Sequence, residues 1–321
     1  MDALSDVLRA VRLNGAVFFD IRAADPWVAR TPAGMDIVGA MFPGAEHLIS
    51  YHVLISGGCW AGPPDSAPIR LQPGDVIVFP HGDTHVLSSA PGMHTPADLS
   101  RYRKPAEGQR LPFSISMGEQ GGTETAHFVC GFLGCDVRPF NPLLAALPRV
   151  VRVRDSTGTL AAYVQAALSE SRLPRIGSEC VLSRLSELMF VELIRQYLEG
   201  LPPDRADWLA GLRDAHVGRA LNALHRTPER AWDLPSLARH VGLSRTVLAE
   251  RFSQFVGRPP MQYLANWRMQ LATGHLLAGS ESVAQIANRV GYDSEAAFSR
   301  TFKKLVGSSP GQWRRERSAA R

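Results

Sequence analysis

The stretch Leu237-Ala238-Arg239-His240-Val241-Gly242-Leu243 returns about fifty residues later as Ile286-Ala287-Asn288-Arg289-Val290-Gly291-Tyr292. The echo continues: Phe252 matches Phe302, Val256-Gly257 matches Val306-Gly307, Pro260 matches Pro310 and Tyr263 matches Trp313, the offset growing by one residue inside the turn. A duplication in register restricts this part of the chain to one structural unit built twice. Each copy reads as a short helix, a tight turn at glycine and a second helix. In the first, Leu234, Leu237, Ala238 and Val241 lie at helical spacing, Gly242 supplies the positive φ that ends a helix, Ser244 caps the next, and Leu248, Phe252 and Phe255 share one face. In the second, Val283, Ile286, Ala287 and Val290 lead to Gly291, Asp293 or Ser294 caps, and Ala297, Phe298 and Phe302 face inward. This is helix-turn-helix patterning. Residues 260 to 277, with Leu264, Trp267, Leu271 and Leu276, read as one connecting helix. Such a helix sets the two reading helices at a separation suited to successive major-groove faces of one duplex.

Charge points the same way. The chain has 321 residues and a formal net charge of +5, unevenly spread. Residues 213–321 hold 17 basic and 8 acidic side chains, whereas residues 1–150 hold 11 and 14 and residues 151–212 hold 7 and 8. A basic domain carrying paired helix-turn-helix patterns is expected to face a polyanion, here double-stranded promoter DNA. With Leu248 and Phe252 buried, Arg245, Thr246, Ala249, Glu250 and Arg251 face outward from the first reading helix, and Ser294, Glu295, Ala296, Ser299 and Arg300 from the second. Arginine bonds guanine O6 and N7 together, so Arg245 and Arg300 lead as base readers. Ser294, Ser299, Lys303 and Lys304, with Arg258 and Arg314 near helix ends, suit phosphates.

These residues resemble the DNA-binding domain of AraC/XylS-type transcription regulators over residues 213–317. The run from Gly291-Tyr292-Asp293-Ser294 through Phe298-Ser299-Arg300-Thr301-Phe302-Lys303-Lys304 is close to that family's signature, and Gly307-Ser308-Ser309-Pro310-Gly311-Gln312-Trp313-Arg314 fits its ending. The family often has arginine two residues before the buried phenylalanine in both copies; here the second has Arg300 but the first has Glu250. Glu250 either reads cytosine N4 or marks a transfer of contact duty to Arg245 and Arg251.

The front of the chain has another texture. Short apolar runs at 49–55, 76–79 and 127–133, separated by Gly and Pro, indicate an all-β sandwich or barrel. Gly74, Pro80, Gly82 and His85 resemble the second motif of the cupin jelly roll, and His52 before Gly57 occupies the place of the first. The first motif lacks its second histidine (Leu54 stands there) and its glutamate, so a full enzymatic metal centre is not expected. Together with Met1-Asp2-Ala3-Leu4-Ser5, Cys59-Trp60, Cys130-Gly131 and residues 143–148, these motifs resemble the cupin-type sensor half of one branch of these regulators. The resemblance implies a small effector inside the barrel. His52, Cys59, Trp60, His85 and Cys130 are the candidate effector or redox residues. Two readings stand beside it: His52, His85 and Cys130 as a residual zinc or copper set, since imidazole and thiolate suit both ions, or Cys130 or Cys59 as an oxidant-sensitive thiol. The bland alternative makes the histidines core residues bonded to backbone and Cys130 a small apolar filler.

Between the halves, Ser178 or Ser183 can cap a helix carrying Val181, Leu182, Leu185, Leu188, Met189, Ile194 and Tyr197. The resemblance implies a homodimer paired here. Glu199 to Asp207, with Pro202-Pro203, reads as a hinge. No window approaches the ~18 unbroken apolar residues of a membrane span, and the opening residues lack a signal-peptide plan, so a cytoplasmic chain without membrane association is expected. The expectation is an α+β multidomain chain: a cupin-like β jelly roll over 1–150, a helical linker over 151–212 and an all-α domain with two helix-turn-helix motifs over 213–321. Its expected role is a non-enzymatic transcription activator, answering to a small effector or oxidant and working with RNA polymerase. A cupin metalloenzyme with a helical appendage and a non-sensing architectural DNA binder are the rivals.

Overall fold

A computed structural model describes residues 2–103, 111–119, 121–173, 175–279 and 281–319; Met1 of the opening stretch lies outside them. The chain forms two compact units, one of residues 13–135 and 147–200, the other of residues 1–12, 136–146 and 201–321.

The first unit carries two sheets. Its strands are β1 (Asn14–Ala24), β2 (Val28–Thr31), β3 (His47–Gly57), β4 (Cys59–Gly62), β5 (Ile69–Leu71), β6 (Asp75–Phe79), β7 (His85–Ser88), β8 (Phe113–Gly118), β9 (Glu124–Cys135) and β10 (Val151–Arg154). They pair in the orders β10-β6-β3-β9-β1-β8 and β2-β7-β4-β5. The pairings are antiparallel except β1 with β8. The apolar runs expected to be strands fall on β3, β6 and β9. All five residues of β6 are buried, the apolar run 76–79 together with Asp75, whose carboxylate is paired with Arg152 and Arg154, whereas β8 alternates between half-buried and exposed. Phe19, Leu54, Ile77, Phe79, Leu87, Phe128 and Phe132, drawn from both sheets, share one core. Each such side chain contributes about 1.5–3 kcal/mol by leaving water.

Of the remaining elements of this unit, α2 (Gly34–Met41) packs on β3, while α4 (Thr159–Arg172) and α5 (Ser178–Glu199) pack on each other, with α5 also lying along β1. Of the stretch read as a helical linker, residues 151–200 fall within the sheet unit, where α5 buries Leu182, Ser186, Met189, Phe190, Leu193 and Ile194, and residues 201–212 fall within the other unit. A 2.8 Å hydrogen bond joins the hydroxyls of Ser186 and Tyr51 in that seam. The capping expectation is corrected: Gly177 occupies the N-cap, and the Ser178 hydroxyl accepts the Arg175 N–H and donates to Glu170. The expected apolar strip also splits, for Val181 and Leu188 stay exposed.

The second unit is helical: α1 (Ala3–Ala10), α3 (Pro142–Ala146), α6 (Trp208–Arg213), α7 (Val217–Arg226), α8 (Leu234–Val241), α9 (Arg245–Val256), α10 (Pro260–Ala278), α11 (Val283–Arg289), α12 (Glu295–Val306) and α13 (Pro310–Ala319). Both helix pairs start from capping boxes, Asp233 with Ser236 on α8 and Ser282 with Gln285 on α11. Their turns coincide: Leu243 N–H bonds the Ala238 carbonyl at 3.0 Å, and Tyr292 N–H the Ala287 carbonyl at 2.9 Å. Gly242 and Gly291 take φ of +76° and +84° at those turns. The following helices are capped by Ser244 and Ser294, whose hydroxyls accept from Val247 and Ala297. Burial on several faces fits α10 as the central post: Tyr263, Leu264, Trp267, Met269, Gln270, Ala272 and Leu276 are all inside. Its Arg268 binds the carbonyls of Pro228 (2.7 Å) and Arg230 (2.9 Å) and lies over the Tyr292 ring, tying the two helix pairs together.

Two segments from the front of the chain are built into this helical unit. The Ala3 N–H donates to Asn222 Oδ1 at 2.9 Å. Arg12 forks onto Asp136 at 2.6 and 2.7 Å, and the Asp136 N–H donates to the Val11 carbonyl. Gln270 of α10 closes the set: its Oε1 accepts from Phe140 N–H, and its Nε2 donates to the Ala10 carbonyl, each at 3.0 Å.

Candidate functional site

The outward faces of α9 and α12 are built by the residues they bury. Leu248 and Phe252 on α9, Phe298 and Phe302 on α12, are fully inside. That leaves Arg245, Thr246, Glu250 and Arg251 exposed and Ala249 half-buried on the first face; Ser294, Glu295, Ala296, Arg300, Lys303 and Lys304 are exposed and Ser299 half-buried on the second. Every proposed reading residue therefore reaches the surface of its helix. Among the described residues, none forms an ion pair with Arg245, Arg300, Lys303 or Lys304. Unneutralised cations on two exposed helix faces are what phosphate contact requires.

Three arginines are occupied. Arg251 forks onto Asp214, with Nη2 at 2.5 Å and Nε at 3.1 Å, so it is held back from base reading. Burial works to raise the Asp214 carboxyl, but the Arg251 hydrogen bond and the Val217 and His216 N–H groups outweigh it and bring it down to about 2. Arg258 sits 4.9 Å over the Phe140 ring, and Arg314 donates to the Glu281 carbonyl at 2.7 Å. Sequence reasoning also missed a member of the first face: Val247 is an exposed apolar side chain beside Arg245 and Thr246. An apolar group there suits a thymine methyl. Its placement out of register with the buried face was the signal available.

In the sheet unit, the structure brings His52, His85 and Cys130 together and leaves the others elsewhere. His85 Nδ1 lies 2.8 Å from the Asp83 carbonyl, His52 Nε2 lies 2.7 Å from His85 Nε2, and His52 Nδ1 lies 2.7 Å from Cys130 Sγ. One proton arrangement satisfies all three contacts. His85 donates from Nδ1 to the carbonyl, His52 donates from Nε2 to His85, and the Cys130 thiol donates to His52. Burial favours this neutral chain, lowering His52 well below its usual range and His85 to about 4, and raising the Cys130 thiol.

For the zinc or copper reading of His52, His85 and Cys130, the orientation of these rings is the relevant observation. A metal bonds each ligand at roughly 2.0–2.3 Å, but His52 turns opposite edges of its ring to its two partners. No group of three or more His, Cys, Asp or Glu among the described residues could hold a metal ion. Of the two thiols read as oxidant-sensitive, Cys59 and Cys130 are both buried, and burial pushes the Cys59 thiol up to about 12, away from the thiolate that reacts. Trp60 of β4 stacks under Arg70, and His85 stacks on Phe79. A cavity of about 130 Å³ opens beside the chain, lined by Arg30, Phe19, Tyr102, Phe128 and Phe132 together with His52 and Cys130. Cys59, Trp60 and His85 are not in its wall.

A cupin family model matches residues 2–199, and a helix-turn-helix domain model matches residues 237–316. An AraC-like transcription regulator of Streptomyces antibioticus is 31% identical over 98% of this chain and 99% of its own length. The chain belongs to the AraC family of transcription regulators. The HTH-type transcriptional regulator AlkR of Acinetobacter baylyi is 27% identical over 98% of this chain and the whole of its own. A solved structure, the DNA-binding domain of AdpA in complex with a target DNA, is 30% identical over 34% of this chain and 96% of that domain, with a TM-score of 0.32. In this AraC-family chain the cupin match runs through α4 and α5, beyond the sheets, and the helix-turn-helix match begins inside α8 and ends inside α13. The chain thus carries a cupin domain and a DNA-binding helix-turn-helix domain, and these relatives are transcription regulators. No helix of the described residues is long and apolar enough to cross a membrane.

Proposed function

We propose that this regulator is a cytoplasmic, effector-controlled activator in which both helix pairs are helix-turn-helix units, α9 and α12 entering successive major-groove faces of one operator. The observation that carries the reading is the repetition of turn, cap and burial at 238–252 and 287–302, with unpaired cations on both exposed faces. Arg245 and Arg300 read bases; Thr246, Ala249, Glu250, Glu295 and Ala296 complete the two base-facing surfaces, and Ser294, Ser299, Lys303 and Lys304 hold phosphates. Arg251 serves by fixing α9 through Asp214. The sheet unit, read as a jelly roll, is the sensor, with His52 and Cys130 in the wall of its effector cavity. The roles assigned by sequence to 1–150, 151–212 and 213–321 are sensing, bridging and DNA binding.

The signal travels along the chain. β1 and β9 pair at their ends, Asn14 opposite Gly134, and both continue directly into the segments held by Gln270, Arg12 and Asp136. An effector that prefers one arrangement of those strands shifts the population of DNA-competent or polymerase-contacting states. Homodimerisation is supported by an apolar stripe on α5, where Val181 and Leu188 are exposed two turns apart with half-buried Leu185 between them. Operator footprinting with wild type and Arg300→Ala tests the reading. Loss of about 1–3 kcal/mol of discrimination at one guanine is expected; unchanged occupancy and sequence preference refutes the placement of α12.

A further inference from the structure

We propose that the cavity of the sheet unit takes a compact aromatic carboxylate, with Arg30 as the partner of its anionic end. The inference rests on the reading of that unit as the effector sensor, and adds the chemical class of the effector.

Arg30 lies on β2, paired opposite Val86 of β7, and its side chain is in the cavity wall. Its Nε is buried without a hydrogen-bond partner, and no ion pair joins it to any described residue. The residue is otherwise half-buried, so its guanidinium lies between the cavity and solvent with one unmatched N–H inside, a donor that a ligand in the cavity can satisfy. Among the other polar groups of the wall no unmatched charge remains, and Thr95 is neutral. Arg101 is paired with Asp98 at 2.9 Å, His52 and Cys130 satisfy each other, and Tyr102 is hydrogen-bonded to Thr31. Arg30 is therefore the uncompensated charge facing the space, and it selects an anion. A carboxylate's two oxygens match the guanidinium fork, and its single charge balances the single unpaired cation.

The rest of the wall selects the body of the ligand. Phe19, Tyr102 and Phe132 meet edge to face with centroids 5.6, 5.9 and 6.4 Å apart, an arrangement that offers ring faces and edges to a further aromatic ring. Phe128, Ile115 and Met117 extend the apolar surface. The volume of about 130 Å³ is close to that of an apolar cavity of about 150 Å³ that admits benzene, so the space beside Arg30 accommodates one ring and a short acid arm.

The test uses the full chain, with benzoate and phenylacetate as probes and benzyl alcohol and 2-phenylethanol as neutral counterparts of like shape. Binding is read by calorimetry and by the rise in melting temperature, on wild type, Arg30→Met and Arg30→Lys. The acids are expected to bind wild type at least about tenfold tighter than the alcohols, Arg30→Met to lose that preference, and Arg30→Lys to keep part of it. Unliganded Arg30→Met is expected to melt no lower than wild type, since it removes an unmatched group, and this shows that the variant folds. Equal binding of acids and alcohols, or acid binding unchanged in a folded Arg30→Met, overturns the carboxylate assignment while leaving the sensor reading in place. No binding of any of the four probes to a wild type that still footprints its operator overturns the sensor cavity and the assignment together.

Discussion

Gln270 offers a direct test of how the front segments are fastened to the DNA-binding unit. The residue is 1% exposed, in the middle of α10, and both ends of its amide serve backbone groups: Phe140 N–H and the Ala10 carbonyl. The Ala10 carbonyl is the last of α1, one of the acceptors a helix leaves open at its C-terminus. Gln270→Ala strands the buried Phe140 N–H, at about 1–3 kcal/mol, and loses the packing of one methylene besides. Together about 2–4 kcal/mol of local stability is lost, which is about 30- to 700-fold in an opening equilibrium. Hydrogen exchange is the suitable assay, because it reports opening segment by segment in a chain of two units that need not melt as one. Protection at Phe140 and along α1 is expected to fall by that factor, while the amides of α12 keep theirs. Gln270→Glu sharpens the case. Its carboxylate can still accept from Phe140 but faces the Ala10 carbonyl, whereas the protonated acid can donate. Burial raises the folded-state pKa of this glutamate above its unfolded value, so the stability it supplies is present at low pH and lost as pH rises through the folded pKa. Exchange at Phe140 within about threefold of wild type in Gln270→Ala refutes the fastening argument.

The repeat supplies its own control. At Gly242 an added Cβ meets open space, so Gly242→Ala carries only the positive-φ penalty of roughly 1–2 kcal/mol, whereas at Gly291 it lies 2.5 Å from the Glu229 carbonyl oxygen and Gly291→Ala loses well over that; equal losses in urea denaturation contradict the packing. Asp214 is held at about 2 by Arg251 and backbone N–H groups, below its unfolded value, so it contributes stability above about pH 4 that disappears as pH falls toward 2. Allowing for the half-exposed arginine, that contribution is about 1–2 kcal/mol, and an acid titration of Asp214→Asn that keeps the wild-type slope in this window rules it out. Replacing Lys303 and Lys304 with alanine is expected to flatten the dependence of log K for operator binding on log salt by about 1.8, and an unchanged slope removes both from the phosphate contacts.

The helix pairs were legible because three independent constraints coincide in the sequence: apolar spacing, glycine where φ must be positive, and serine where N–H groups need a cap. Ser244 and Ser294 carry out that last task as read. Strands β3, β6 and β9 were legible as unbroken apolar runs, but the chemistry beside them was not. The spacing of cupin motifs places His52 and His85 on strands; it does not say which ring edge each presents, and that edge decides between a metal site and a closed hydrogen-bond chain. Arg251 was read as free because Asp214 lies 37 residues away, and Arg30 was overlooked because an isolated arginine on a short strand normally reaches water.

What escaped reading lies where the two copies differ. Tyr263 and Trp313 occupy equivalent places, and Trp313 packs on Phe302 within an apolar cluster. Tyr263 instead accepts from Trp208 Nε1 at 3.0 Å and donates to His225 Nε2 at 2.8 Å, with burial holding that histidine neutral at a pKa of about 3. Trp208 opens α6, immediately after Asp207 caps it at the end of the hinge. The first copy is thus hydrogen-bonded to the incoming chain, the second is closed on itself by apolar packing, and Gln270 sits on the helix they share. Divergence at this core position gives one copy of the duplicated helix pair a handle that the other lacks. A repeat search sees the likeness and passes over the handle, because the handle is made of departures from the repeat.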